Sequence, residues 1–182
     1  MYGRGSMTEP NEDLRTLDLF GDWLRSLGTS ASTMAQALDA ASPESKPYLV
    51  GGLNYIFKSL DLIPDGIDDL GYLDDAFVVR VASSLASRAG DVPASIQTLA
   101  EGTSEIETFL KNDYARLERY VTGLTESVAR QRSVQDICGD AATQTEFVRE
   151  IEDWAKAYTS PTFTKEPRVL LKLRSFLSAK LP

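Results

Sequence analysis

Apolar residues recur at helical spacing along almost the whole chain, and no run alternates apolar with polar over the length of a strand. Leu14, Leu17, Phe20, Leu24 and Leu27 step by three, three, four and three, so they line one side of a first helix, with Gly28 placed as its C-cap. A second helix is expected from about Thr33 to Ala41, stopped by Ser42-Pro43. A third begins at a cap on Ser42 or Ser45 and runs to about Leu60. The Gly51-Gly52 pair inside it costs about 1 kcal/mol per glycine relative to alanine, which points to a close helix crossing; a backbone approach to a ligand is the alternative.

From Ser104 to Arg132, the residues Leu110, Tyr114, Leu117, Val121, Leu124 and Val128 alternate steps of four and three. This predicts one long helix with a continuous seam, either a core helix of a bundle or an intermolecular coiled coil in a homo-oligomer. After Ser133 a further helix carries Val148, Ile151, Ala155 and Tyr158, with Trp154 on its flank. It stops before Pro161, and Gly139 is placed to kink its front end. The last segment, Arg168 to Leu181, sets Leu170, Leu173, Leu177 and Leu181 on one face. With no Asn-Gly or Asp-Gly pair between β-branched runs, a sheet is not expected. The fold class is all-α: a bundle of six to eight helices with an Asp-rich helical hairpin and one long amphipathic helix. Gly90, Pro93 and Gly102 mark a weak boundary between a unit of residues 7–90 and one of 91–182, inside what reads as one compact domain. Met1 to Ser6 read as an added leader, because Met7 opens a more ordinary N-terminus.

Composition narrows the function. The 182 residues carry 27 Asp plus Glu against 19 Lys plus Arg, a net charge of −8, which argues against a nucleic-acid binder. The absence of histidine excludes His-based triads, His-ligated haem and His-ligated zinc. The single Cys138 cannot close an intrachain disulfide, which suits a reducing cytoplasm, and between Ile137 and Gly139 it reads as a small buried apolar residue. The longest strongly apolar run, Pro47 to Phe57, falls short of the roughly 20 residues that span a bilayer, and no secretory signal is legible. A cytoplasmic location is expected. There is no glycine-rich phosphate loop, no G-x-S-x-G and no C-x-x-C. Residues 165–182 hold five Lys or Arg against one Glu. Their leucine face is expected to complete the core; peripheral attachment to anionic lipid, or docking to an acidic partner, is the alternative.

Chemistry concentrates between Asp61 and Asp75, where Asp61, Asp65, Asp68, Asp69, Asp74 and Asp75 put six aspartates in fifteen residues with no base. Pro64 cannot donate to the carbonyl of Leu60 and drives Ile63 out of helical geometry, so the preceding helix should end near Leu60 to Leu62. Gly71 marks another break. Asp74 and Asp75 then fall in the first turn of a helix carrying Phe77, Val78, Val81 and Leu85, where the helix dipole favours each by about 0.3–1 kcal/mol. Asp61, at the carbonyl end of a helix, needs a cap or a cation. If the bend brings Asp61 or Asp65 to Asp74 or Asp75, two carboxylates about 4 Å apart repel by roughly 4 kcal/mol at an effective dielectric of about 20. Backbone N–H groups, a base from elsewhere, a shared proton or a divalent cation must offset that.

Two readings follow. In the first, Asp61, Asp65, Asp74 and Asp75 cap and fix the turn and Asp68 and Asp69 are solvated. The hairpin then offers an acidic surface to a protein partner, in a non-enzymatic interaction or scaffolding role without catalytic residues or cofactor. In the second, Asp61, Asp65, Asp74 and Asp75 supply oxygens to Ca²⁺ or Mg²⁺, although the spacing is not that of an EF-hand and no glutamate closes the set. A metal-dependent hydrolase using a carboxylate pair as acid and base is a subset of the second.

The stretch from about Tyr48 to Val81 resembles the YkvA-like domain-of-unknown-function family. The resemblance rests on Asp61-Leu62-Ile63-Pro64-Asp65 followed by Leu70-Gly71-Tyr72-Leu73-Asp74-Asp75, and covers about 34 of 182 residues. It implies a small helical hairpin domain, found in many bacterial proteins and often predicted to be membrane-associated, with no established activity or ligand; Pro64, Gly71 and Tyr72 are its structural positions here. Members commonly carry apolar residues, often with proline, where this chain has Gly66, Ile67, Asp68 and Asp69, which argues against a membrane role. They often show Asn-Pro or Ser-Pro where this chain has Lys58-Ser59-Leu60.

Overall fold

A computed structural model describes residues 10–58, 61–67 and 70–182. The leader read at Met1 to Ser6 and the expected helix end at Leu60 lie outside the described residues. The architecture is all-α, with one two-stranded hairpin as the only strand pairing among the described residues. Helix α1 (Pro10–Arg25) passes into α2 (Leu27–Ala37) through a bend at Ser26, whose hydroxyl donates back to the carbonyl of Asp22 at 2.9 Å, an arrangement that bends helices. Gly28 therefore lies inside α2 and does not cap α1. A Cβ there would come within 2.9 Å of the Ala155 carbonyl, so the glycine serves a close helix crossing. Leu14, expected on the buried stripe, is 47% exposed, whereas Leu17, Phe20, Leu24 and Leu27 are buried.

Helix α3 (Lys46–Tyr55) ends before the proline is reached. Its last turn tightens through Ile56, Phe57 and Lys58, whose N–H groups bond to the carbonyls three residues back. The helix therefore stops at Tyr55, short of the expected run to about Leu60, and this tightened turn follows it. Ser45 precedes α3 but spends its hydroxyl on the carbonyl of Ala86, at 2.8 Å. Gly51 and Gly52 make the close crossing that their cost required. Cβ atoms there would lie 2.9 Å from the Leu124 carbonyl and 2.6 Å from the Ala82 Cβ of α4 (Leu73–Ala89).

The long helix does not form. The chain makes α5 (Ala94–Glu101) and, past Gly102, α6 (Thr103–Leu110); Lys111 then takes φ 53°, and α7 (Tyr114–Gly123) follows a 3-10 turn. A second such turn leads to β1 (Val128–Ala129), paired with β2 (Arg132–Ser133). Lys111-Asn112-Asp113 explains the first break, since Asn and Asp side chains compete for backbone hydrogen bonds. Leu110, Tyr114, Leu117, Val121 and Leu124 are buried, but Val128 is exposed. The seam packs inside the chain, in keeping with the bundle-core reading of it and not with the coiled-coil alternative, although it is carried by broken segments and not by one helix.

Helix α8 (Val134–Gly139) starts on a capping box of Ser133 and Asp136, and α9 (Ala141–Ala157) on Asp140, whose carboxylate accepts from the Thr143 N–H at 2.8 Å. The buried face of α9 is Phe147 and Ile151, with Val148, Ala155 and Tyr158 only half-buried. Helix α10 (Pro167–Lys180) buries Leu170, Leu173, Leu177 and the following Leu181 as their spacing requires. Counting α1–α2 and α5–α6 each as one bent rod, the ten helical segments of the described residues make eight.

One continuous apolar cluster reaches from Leu17 to Leu181 and draws on every helix. Helix α4 is its axis: Leu73 to Ser83 is buried without interruption, so the helix has no solvent face over that length. Phe77 on α4 meets Phe20, Trp23 and Phe109 edge-on. The consequence for function is direct. The first turn of α4 holds Asp74 and Asp75, and it lies inside the protein.

An acidic corner that faces inward

Tyr55, in the last turn of α3, organises the corner. It is fully buried; its hydroxyl accepts the N–H of Leu62 at 2.7 Å and donates to Asp74 Oδ2 at 2.5 Å. The N–H of Ile63 donates to the same Asp74 oxygen at 3.1 Å. The segment from Asp61 to Ile63 is thereby pinned across the start of α4, with Leu62 and Ile63 buried as apolar anchors. Pro64 and Asp65 stand at the exposed outside of the bend. The chain returns through Ile67, whose N–H bonds to the carbonyl of Pro64, and through Gly71, whose N–H bonds to that of Ile67, both at 3.0 Å. A Cβ at Gly71 would lie 2.3 Å from the Asp65 carbonyl, so only glycine fits. Tyr72 follows in the left-handed region at φ 66°, with its hydroxyl beside the Asp65 carboxylate.

The corner brings together the four aspartates singled out in the sequence. Asp61 is pushed up to about 7, first by burial and then by the charges of Asp74 and Asp65, against the pull of Lys58. Burial likewise raises Asp74, opposed by the hydrogen bonds from Tyr55 and Ile63. Asp75 is raised well above the ordinary carboxylate range, first by burial and then by Asp74, Asp65 and Asp61. Burial raises Asp65 as well, and the Tyr72 hydroxyl partly offsets it. Asp74 and Asp75, expected to cap and fix the turn of a hairpin that offers an acidic surface, are 1% and 3% exposed, because α4 is the central helix. Asp68 and Asp69, expected to be solvated, lie outside the described residues.

Compensation is incomplete. Asp61 Oδ1, Asp74 Oδ1 and Asp75 Oδ2 are buried without a hydrogen-bond donor. Among the described residues no ion pair involves Asp61, Asp65, Asp74 or Asp75. The nearby cation, Lys58, donates to the Tyr120 hydroxyl at 2.8 Å and lies over that ring. Among the described residues no group of three or more acidic or cysteine side chains is placed as a metal-ligand set.

Sequence reasoning passed over Tyr55 and gave Tyr158 only a place on the apolar stripe of the helix after Ser133. Tyr55 lies four residues after Gly51 and so shares the face of α3 that the glycines mark as closely packed; an inward tyrosine needs a partner for its hydroxyl. Tyr158 stacks edge-on against Tyr72 at 5.4 Å and donates its hydroxyl to the Leu24 carbonyl at 2.8 Å, tying the corner to α1. No signal in the sequence links these two rings.

A second feature is an open groove of about 640 Å³ between α1, α6 and α10. Leu19, Phe109 and Leu170 supply its apolar lining. Five carboxylates, Glu12, Asp13, Asp18, Asp22 and Glu105, and three bases, Arg15, Lys111 and Arg174, line it, with Asp18 and Asp22 already paired to Lys165 and Arg25. No family model matches the chain, and neither does any curated protein or solved structure.

Proposed function

We propose that the chain is a non-enzymatic interaction protein that receives a basic amphipathic helix of a protein partner in the groove between α1, α6 and α10. The observation that carries this reading is where apolar surface remains. Among the described residues three large apolar side chains are exposed, and two of them, Leu14 and Leu171, adjoin groove-lining residues in sequence. An apolar floor between carboxylate-rich walls suits a helix with a leucine face and basic flanks. The acidic corner, with its two most buried aspartates turned inward, is a poorer docking surface than the sequence implied. The alternative of lipid attachment through α10 is less well supported, since the leucine face of that helix is spent in the core. No helix of the described residues is long and apolar enough to cross a membrane, and a cytoplasmic site of action fits the free Cys138.

The test is fluorescence anisotropy with a labelled Leu/Lys amphipathic peptide as probe. Binding is expected to weaken as salt rises, and to fall at least tenfold in a variant carrying Asp13→Lys and Glu105→Lys. Absence of binding, or binding indifferent to both substitutions, would overturn the reading.

A further inference from the structure

The corner asks for something the chain does not supply. Asp74 and Asp75 sit side by side in the first turn of α4, more than nine-tenths buried, and each keeps one oxygen without a donor. Asp61 brings a third such oxygen from the other side of the bend. Buried charge is ordinarily paired with a base or bound to a metal. Here no base forms an ion pair with these groups among the described residues; Lys58, which donates to Tyr120, acts on Asp61 only from beyond ion-pair distance. The helix dipole offers only about half a charge against several.

We propose that the corner is a binding site for a hard divalent cation, Mg²⁺ or Ca²⁺, held by carboxylate oxygens of Asp74 and Asp75 from α4 and of Asp61 from the facing loop. The unpartnered oxygens are of the hard type these ions take, and they come from both segments that the bend brings together. Two ligands are fixed by the central helix. The third is on a loop outside any helix, so binding requires the Asp61 side chain to turn toward α4, with waters completing the set as Mg²⁺ in particular allows. Tyr55 holds the other oxygen of Asp74 and so directs Oδ1 into the site. The cation would lock the segment after α3 to the start of α4. This site is separate from the groove and does not depend on it.

The experiment is thermal unfolding of the chelator-treated full chain at pH 7.5, with Mg²⁺, Ca²⁺, or K⁺ at matched ionic strength. At a divalent concentration a hundred times the Kd, the melting temperature is expected to rise by about 5–10 °C, with no rise in K⁺. Asp75→Asn keeps the shape, removes a buried charge and brings N–H donors to oxygens that lack them. That variant is expected to melt at or above the chelated parent and to lose the divalent response. Should it fail to fold, Asp61→Asn, at a half-buried loop position, is read in the same way. No rise with either cation would overturn the proposal and leave the corner neutralised by protons; an equal rise in the substituted chain would overturn it by placing the cation elsewhere.

Discussion

Tyr55→Phe deletes one oxygen and leaves the ring in place, which makes it a sharp probe of how the corner is held. Two buried bonds are lost. The first, to Asp74 Oδ2, is charge-assisted when that carboxylate is ionised, and bonds of this kind contribute about 1.5–3 kcal/mol. The second leaves the buried N–H of Leu62 without its acceptor, a desolvation cost of about 1–3 kcal/mol. Asp74 keeps the Ile63 N–H and the new ring edge is easier to bury, so the net loss should be about 2–4 kcal/mol. For a chain of this length that corresponds to a fall of about 5–15 °C in melting temperature. Urea unfolding followed by circular dichroism measures it, with an unchanged m-value as the check that only stability moved. The loss should be greater at pH 8 than at pH 5, because the hydroxyl stabilises the ionised form of Asp74. A loss under about 1 kcal/mol would refute the claim that Tyr55 fastens the bend to α4.

Metal-free protein should lose stability between pH 5 and pH 8. Asp61, Asp74 and Asp75 have folded-state pKa values raised above the ordinary carboxylate value near 3.8, so over this range the native chain holds more protons than the unfolded one. The contribution is full below that value and is lost as pH rises through about 7 for Asp61; a melting temperature that climbs steadily to pH 8 in chelated buffer would contradict it. Gly52→Ala places a Cβ 2.6 Å from that of Ala82, and overpacking of this kind costs about 1–3 kcal/mol in urea unfolding. Gly123→Ala, with no atom within 4 Å of the new Cβ, should be neutral or slightly stabilising in the same assay; equal losses at both glycines would rule out the crossing as the cause.

Much of the fold was legible because apolar spacing reports burial. The leucines of α10 and the inward residues of α7 stand where their spacing put them. What the spacing could not report is continuity. The seam from Leu110 to Leu124 keeps its steps across Lys111, because a broken chain can face the same core as an unbroken one. Ser26 and Gly28 show the reverse, a bend where the pattern suggested an end. At the corner, Pro64, Gly71 and the repeated aspartates announced a bend with acids on both sides. Whether those acids faced out or in was not legible, since it depends on α4 being wrapped on all sides by α1, α3, α5 and α7, a property of the assembled fold. The same holds for Tyr55, whose partners lie seven and nineteen residues away.

Carbon-13 NMR of the aspartate side-chain carboxyls, followed through pH in chelated protein, tests most directly whether the bend gathers acids that the chain leaves uncompensated. Asp75 and Asp61 are expected to stay protonated well above the range of the exposed aspartates, and a divalent cation added at neutral pH should shift these resonances before any others. Titration of every aspartate near pH 4, with no residue set apart, would mean that the side chains are solvated and that the inward-facing corner does not exist.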